Sequence, residues 1–150
     1  MPYLFSLPGP RDGPDNVFEE QRLTAGTREV LSGVRIYSSV TRLFQASDTG
    51  ASVINWGTIW NISTIHIGST ISGLNLSAVE NFGLIVSEVP DGNSAAIYVG
   101  SAGGFINNTG SIYSIAGGNA HGIEHWDPNV LIDNSGLIAA YAPTGHSGGG

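Results

Sequence analysis

The side chains best suited to chemistry lie in one short segment, Glu124-His125-Trp126-Asp127, with His121 just upstream. A tryptophan ring beside carboxylates and an imidazole can stack on a sugar ring while the polar groups bind its hydroxyls. The same residues are also typical of a polar loop with one partly packed tryptophan, and we favour this simpler interpretation. The segment is therefore a candidate glycan-binding or polar cluster.

A catalytic carboxylate pair is not evident in the sequence. Sugar-cleaving enzymes need two carboxylates for acid and base work, or acidic calcium ligands with a basic residue. Glu80 and Asp133 occupy equivalent repeat positions two copies apart, which predicts a separation of about 10 Å with Asn107 between them. Two solvated side chains on an outer face explain this pair more simply. We assign no catalytic residue, no metal site and no cofactor. An enzymatic function is the less favoured of the two hypotheses.

A repeated motif organises the region that contains these residues. The pattern is aliphatic-x-Asn-x-Gly-x-Ile, and its Asn positions are 26, 27 and 26 residues apart. Self-similarity at a fixed period of this size is typical of a solenoid, whose coils stack on one another. The four copies are Val53–Ile59, Val79–Ile85, Ile106–Ile112 and Ile132–Ile138.

Each motif copy predicts two strands joined by a corner. The apolar residues alternate with period two, and Asn and Gly tolerate the positive φ of a tight turn. Stacked copies place like residues about 4.8 Å apart, so the aliphatic positions form buried columns and the amides form a ladder. We assign a structural role to the ladder and corner residues, Asn55, Asn81, Asn108, Asn134, Gly57, Gly83, Gly110 and Gly136.

A weaker column supports the same register. Phe44, Ile97 and Ile123 each precede a motif Asn by 11 residues. The intervening coil has Thr70 at the matching position with Ile71 beside it, which indicates a shifted strand there.

Two strips of residues point away from the predicted core. Trp56 and Phe82 share an outward position on consecutive coils, and Trp60, Val86 and Tyr113 share another. Exposed aromatic strips bind glycans or pack against protein. We expect at least one strip to be covered by residues 1–30 or by a neighbouring chain.

Composition and charge restrict the partners. The 150-residue chain has a net charge of −7, no lysine and no cysteine, and its five arginines all precede the first motif copy. A repeat region without these cations is a poor surface for nucleic acid or for an acidic membrane, and no segment is long and apolar enough to insert into a bilayer.

The chain divides into an arm and a solenoid. Residues 1–16 hold four of the seven prolines and predict an extended N-terminal arm. Residues 17–150 predict the solenoid, with an atypical first coil at 17–50 and repeats at 51–150; a short capping helix around Val17–Leu23 is the alternative. The last copy is followed by no charged or helical cap, so we expect either a piece of a longer array or an open end that pairs with another copy.

The Asn-x-Gly-x-Ile copies resemble the β-helical repeats of bacterial autotransporter passengers and haemagglutinin-like surface proteins. The segments most like these repeats are Asn134-Ser135-Gly136-Leu137-Ile138 and Asn107-Asn108-Thr109-Gly110-Ser111-Ile112. The resemblance implies an all-β, single-stranded parallel β-helix (a right-handed β-solenoid) with an atypical N-terminal cap. It also implies a structural or adhesive role, extracellular or at the cell surface. Self-association into filaments is what the open end of the array would add. A polysaccharide-binding or polysaccharide-cleaving β-helix, including the phage tail-fibre type, is the alternative.

Overall fold

Seventeen β-strands follow one another in the part of the chain that the structure describes. A computed structural model describes residues 16–17, 21–23, 26–46, 50–63, 67–73, 76–100, 103–126, 129–143 and 148–149. The strands are β1 (Asn16–Val17), β2 (Gln21–Leu23), β3 (Gly26–Val30), β4 (Arg35–Ser38), β5 (Arg42–Ala46), β6 (Ala51–Asn55), β7 (Thr58–Ile62), β8 (Ile67–Gly73), β9 (Leu76–Asn81), β10 (Leu84–Val89), β11 (Asn93–Val99), β12 (Phe105–Asn108), β13 (Ser111–Ala116), β14 (Ala120–His125), β15 (Leu131–Asn134), β16 (Leu137–Tyr141) and β17 (Gly148–Gly149).

The strands form three parallel sheets that run along the stack. Sheet A has the order β1-β4-β7-β10-β13-β16, sheet B has β17-β14-β11-β8-β5-β2, and sheet C has β15-β12-β9-β6-β3. Each strand pairs with the third strand before it and the third strand after it along the chain. The chain therefore passes through sheets C, A and B in turn, and three successive strands make one coil. We call β3–β5 the N-terminal coil; β6–β8, β9–β11, β12–β14 and β15–β17 are motif coils 1 to 4. The predicted all-β parallel solenoid is confirmed, and its handedness stays a prediction.

Within the described ranges every regular element is a strand, and none is a helix that could cross a bilayer. The alternative of a capping helix around Val17–Leu23 is wrong where the structure describes this segment, because Asn16–Val17 and Gln21–Leu23 are strands.

Aliphatic columns fill the interior between the sheets. Val53, Val79 and Ile106 are fully buried and in register, and Ile59, Ile85 and Ile112 form a second buried column. The third column is continuous, because Ile71 rather than Thr70 pairs with both of its neighbours; its members are Phe44, Ile71, Ile97 and Ile123. The predicted strand shift is thereby confirmed.

The motif asparagines form an uninterrupted amide ladder at the corner between sheets C and A. Asn55 donates to the side-chain oxygen of Asn81 at 2.8 Å, and Asn81 donates to Asn108 at 2.7 Å. The last rung, from Asn108 to Asn134, is also 2.7 Å. The second amide hydrogen of Asn55 reaches a backbone carbonyl of the next coil, that of Leu84, at 3.1 Å. Buried amides are costly unless bonded, and this arrangement satisfies them.

The motif glycines are required by close stacking, not by backbone conformation. Among the described residues positive φ occurs at Gly26, Gly33, Gly50 and Gly103, so our reason for the corner glycines was wrong. A Cβ on Gly110 would instead overlap the carbonyl oxygen of Gly83. That oxygen accepts the amide of Ser111 at 2.8 Å, which holds the two corners together.

The N-terminal coil differs from the motif coils at this corner. Val30 occupies the ladder position, in register with Asn55, and is 2% exposed. Without the asparagine the corner lengthens to a turn, in which the Val34 amide donates to the Leu31 carbonyl at 3.1 Å. The ladder therefore begins at Asn55.

Loss of one rung should be costly. Asn81→Ala leaves the Asn55 donor and the Asn108 acceptor without their partner inside the corner, and we expect a loss of about 2–4 kcal/mol in unfolding free energy. Asn107→Ala, one residue from the ladder on the outer side of sheet C, should change it by less than about 0.5 kcal/mol. Urea unfolding followed by far-UV circular dichroism measures both; equal effects would contradict a structural role for the ladder.

A methyl group at a stacked corner should be worse tolerated than one at an open turn. Gly110→Ala must push apart two backbones, at about 3 kcal/mol or more. Gly33→Ala enters open space at φ +82°, so only backbone strain of about 1–2 kcal/mol applies. The same unfolding experiment compares the two, and a Gly110→Ala protein as stable as the Gly33→Ala protein would exclude the close-stacking explanation.

Candidate functional site

The outer face of sheet B carries a groove of about 340 Å³ that contains part of the predicted cluster. His121, Glu124 and Trp126 line it. His121 and Glu124 both belong to β14 and both line the groove. Trp126 follows the end of this strand and is 76% exposed. The sequence prediction thus brought together three side chains that do share a surface.

Tyr98 and Trp126 form an aromatic corner over this groove. Their ring centroids are 6.5 Å apart at 67°, an edge-to-face arrangement. The Trp126 indole nitrogen donates to Glu124 at 3.2 Å, which fixes the ring beside the carboxylate. Tyr98 also pairs in register with Glu124 from the preceding coil.

The remaining groove lining is polar and rich in hydroxyls. Ser69 and Ser72 come from β8, one coil before Tyr98, and Arg42 comes from β5, two coils before it. The groove therefore has the Arg42 guanidinium at one end, serine hydroxyls in the middle and the Glu124 carboxylate at the other end. Such a lining suits a ligand with many hydroxyl groups. Sequence analysis missed Arg42, Tyr98 and the serines, although Tyr98 precedes Glu124 by one repeat of 26 residues and could have been found from that spacing.

Two members of the predicted cluster do not belong to this groove as described. His125 pairs with the buried Val99, is itself exposed at the strand end, and does not line the groove. Asp127 lies outside the described residues.

The two carboxylates considered for catalysis face away from the groove. Glu80 and Asp133 lie on sheet C, each in register with Asn107 between them. Glu80 is half-buried and Asp133 is exposed. Within the described part of the chain no three His, Cys, Asp or Glu side chains come together as a metal site would require.

The two predicted interaction strips differ in exposure. Trp56 and Phe82 stack with ring centroids 4.0 Å apart, and Trp56 is 46% exposed, with its indole nitrogen donating to Glu29 at 3.1 Å. Trp60 and Val86 also point out of the core but are only 2% and 0% exposed. The first strip is an open aromatic surface, and the second is part of a buried cluster.

The last strands of sheets C and A present apolar side chains to solvent. Leu131 is 63%, Ile132 38% and Leu137 46% exposed, although Ile132 continues the column of Val53, Val79 and Ile106. Asn134 ends the ladder, and its amide bonds its own corner carbonyl, that of Gly136, at 3.4 Å. We call this surface the β15–β16 edge.

Comparison of the chain with models of protein families, with curated proteins and with solved structures gave no match. Functional proposals for this protein therefore depend on its own surfaces.

Proposed function

We propose that the protein is a non-enzymatic structural or adhesive β-solenoid of a cell-surface or extracellular assembly, and that it associates through the β15–β16 edge. The observation that carries this proposal is the exposure of Leu131, Ile132 and Leu137 on β15 and β16, which end sheets C and A in the part of the chain that the structure describes. Unpaired strand edges with apolar side chains are templates for pairing with another coil. The likeness of the repeats to autotransporter and haemagglutinin-like sequences supports the location.

The opposite edge of sheet C bears on how two copies would meet. Arg28 and Glu29 on β3 are exposed and stand in the rows that lead to Ile132 and Asp133. Head-to-tail stacking in register would set Glu29 against Asp133 and Arg28 against Ile132. Both contacts are unfavourable, because like charges repel and an apolar partner leaves a charge unpaired. Filaments therefore need a shifted register, and pairing of two β15–β16 edges avoids these contacts.

Association should depend on the β15–β16 edge. Ile132→Asp places a charge among its apolar groups and should raise the concentration needed for assembly at least about tenfold. Asn93→Asp adds the same charge at an exposed position of β11, on sheet B and two coils away from this edge, and should have no effect. Light scattering over a concentration series with negative-stain electron microscopy measures assembly; a wild-type protein that stays monomeric throughout would contradict the proposal.

A further variant separates the two geometries. Glu29→Lys turns the repulsion with Asp133 into attraction, so it should promote head-to-tail fibres and leave edge-to-edge pairs unchanged. If this variant forms longer uniform fibres than the wild-type protein, association is head-to-tail. If both proteins form discrete dimers at the same concentration, two β15–β16 edges pair with each other.

The second candidate function is glycan binding by the groove on sheet B. Tyr98 and Trp126 provide the apolar face on which a sugar ring stacks, and Arg42, Ser69 and Glu124 provide partners for its hydroxyls. This function is compatible with an adhesive role and needs no catalytic residue.

Removal of the exposed ring tests the groove. Trp126→Ala should weaken retardation in affinity electrophoresis through a panel of soluble neutral and acidic polysaccharides by about tenfold or more, because the stacking surface is lost. Trp56→Ala removes an equally large exposed ring from a different face and should leave retardation unchanged. Absence of retardation of the wild-type protein by every polysaccharide would exclude this function.

A further inference from the structure

Two exposed apolar side chains belong to neither of the surfaces proposed above for association and glycan binding. Among the described residues six large apolar side chains are exposed, and four of them lie at the β15–β16 edge or at the groove on sheet B. The other two are Leu31, which is 58% exposed, and Trp56, which is 46% exposed. They are neighbours, because they follow Val30 and Asn55, which are in register on β3 and β6. Together they form an open apolar surface at the corner between sheets C and A.

A stacked pair of rings forms one side of this surface. The ring of Phe82, on the next coil, stacks on that of Trp56 with centroids 4.0 Å apart and planes 10° apart. The Trp56 indole nitrogen donates to Glu29 at 3.1 Å, which holds the ring from its other side. The indole is thus fixed in one orientation while nearly half of its surface faces solvent. A fixed and exposed tryptophan is typical of the residues that dominate binding at protein interfaces.

Two carboxylates stand beside these rings on the outer face of sheet C. Glu29, Ile54 and Glu80 occupy one row across β3, β6 and β9. Neighbouring strands are about 4.8 Å apart, so the backbones of the two glutamates are about 10 Å apart, with Ile54 between them. Glu29 is exposed and Glu80 is half-buried. Apart from the bond to Trp56, neither carboxylate has a hydrogen bond or an ion pair within the described ranges.

The charge of this surface has one sign. Arg28 is the one basic residue on the described strands of sheet C, and it stands in the row of the buried Val53 rather than in the outward row. The outward row therefore has carboxylates and no cation among its described residues. An apolar surface with two negative charges at its rim is complementary to a partner that is both apolar and positively charged.

We propose that this surface binds an arginine side chain of another protein, together with the apolar residues that flank that arginine. We call it the corner patch; its residues are Glu29, Leu31, Ile54, Trp56, Glu80 and Phe82. A guanidinium group stacks on aromatic rings and bonds carboxylates through paired N–H groups. Placed over Ile54, it would be about 5 Å from the strand of each glutamate, with one edge toward each carboxylate. This inference is independent of the proposed association and glycan binding.

The arginines of this chain are poor candidates for the occupant where the structure describes their side chains. Arg28 is followed by Glu29, which the carboxylates of a second corner patch would repel. Arg35 and Arg42 are each followed by an aliphatic residue that packs in this chain's own core and cannot contact a partner. A different protein is therefore the better match.

Short peptides test the charge and the shape of the occupant. The isotope-labelled full chain, kept below the concentration at which light scattering detects assembly, is titrated with acetyl-Leu-Arg-Leu-amide. The Trp56 indole signal in the NMR spectrum, identified by its loss in Trp56→Phe, should shift saturably with a Kd of about 1–10 mM. Citrulline in place of arginine keeps the shape without the charge and should weaken binding at least about tenfold. Lysine should weaken it severalfold, because one ammonium cannot reach both carboxylates.

Variants of the two glutamates locate the bound cation. Glu29→Gln keeps an oxygen for the Trp56 indole, so the ring stays in place, and this variant and Glu80→Gln should each weaken binding at least about threefold. Glu124→Gln removes the same charge on sheet B and should have no effect, and circular dichroism checks that each variant is folded. No saturable shift up to about 20 mM peptide, equal binding of the citrulline or lysine peptide, or an equal effect of Glu124→Gln would overturn the proposal. Displacement of the peptide by unlabelled copies of the chain would assign the patch to a second copy and would also overturn it.

Discussion

The amide ladder fixes the register on which the other features of this fold depend. A one-residue slip of any coil would remove its asparagine from the stack and leave buried amides unpaired on both sides. The same slip would turn the aliphatic columns outward. Because the ladder stands at the corner, it also sets where each strand of sheet C ends and each strand of sheet A begins. The grooves and rows on the outer faces therefore keep their alignment from coil to coil.

The repeat made the fold predictable, since one column of asparagines at a spacing of 26 or 27 residues specifies both the period and the register. The same column predicted the aliphatic core and even the shift at Ile71. The reason for the corner glycines was not predictable from a motif, because the carbonyl that excludes a Cβ belongs to the preceding coil. Burial of Trp60 and Val86 was equally hidden: alternation shows that they point outward, and only the three-dimensional arrangement shows that the face is covered.

The candidate site was only half visible in the sequence for a related reason. His121, Glu124 and Trp126 are close in the chain, so their proximity could be predicted from the sequence alone. Tyr98 and Arg42 enter the same groove from other coils, and each becomes a neighbour only through stacking. The three outer faces consequently differ in character. Sheet C carries carboxylates in solvent, sheet B carries a groove with hydroxyls and aromatic rings, and sheet A carries a buried apolar cluster with one carboxylate.

The ladder also gives the stack a chemical direction. Each side-chain amide donates toward the following coil, from Asn55 through to Asn134. At the N-terminal coil the side chain of Val30 has neither a donor nor an acceptor, so the ladder of side-chain amides starts at Asn55. At Asn134 the side-chain amide bonds the Gly136 carbonyl of its own corner at 3.4 Å, and no further coil among the described residues accepts from it. Any coil that extends the ladder, from whichever molecule, must present an oxygen to that amide; a coil related by twofold symmetry would present a second donor. A further coil can therefore continue the ladder only at its Asn134 end.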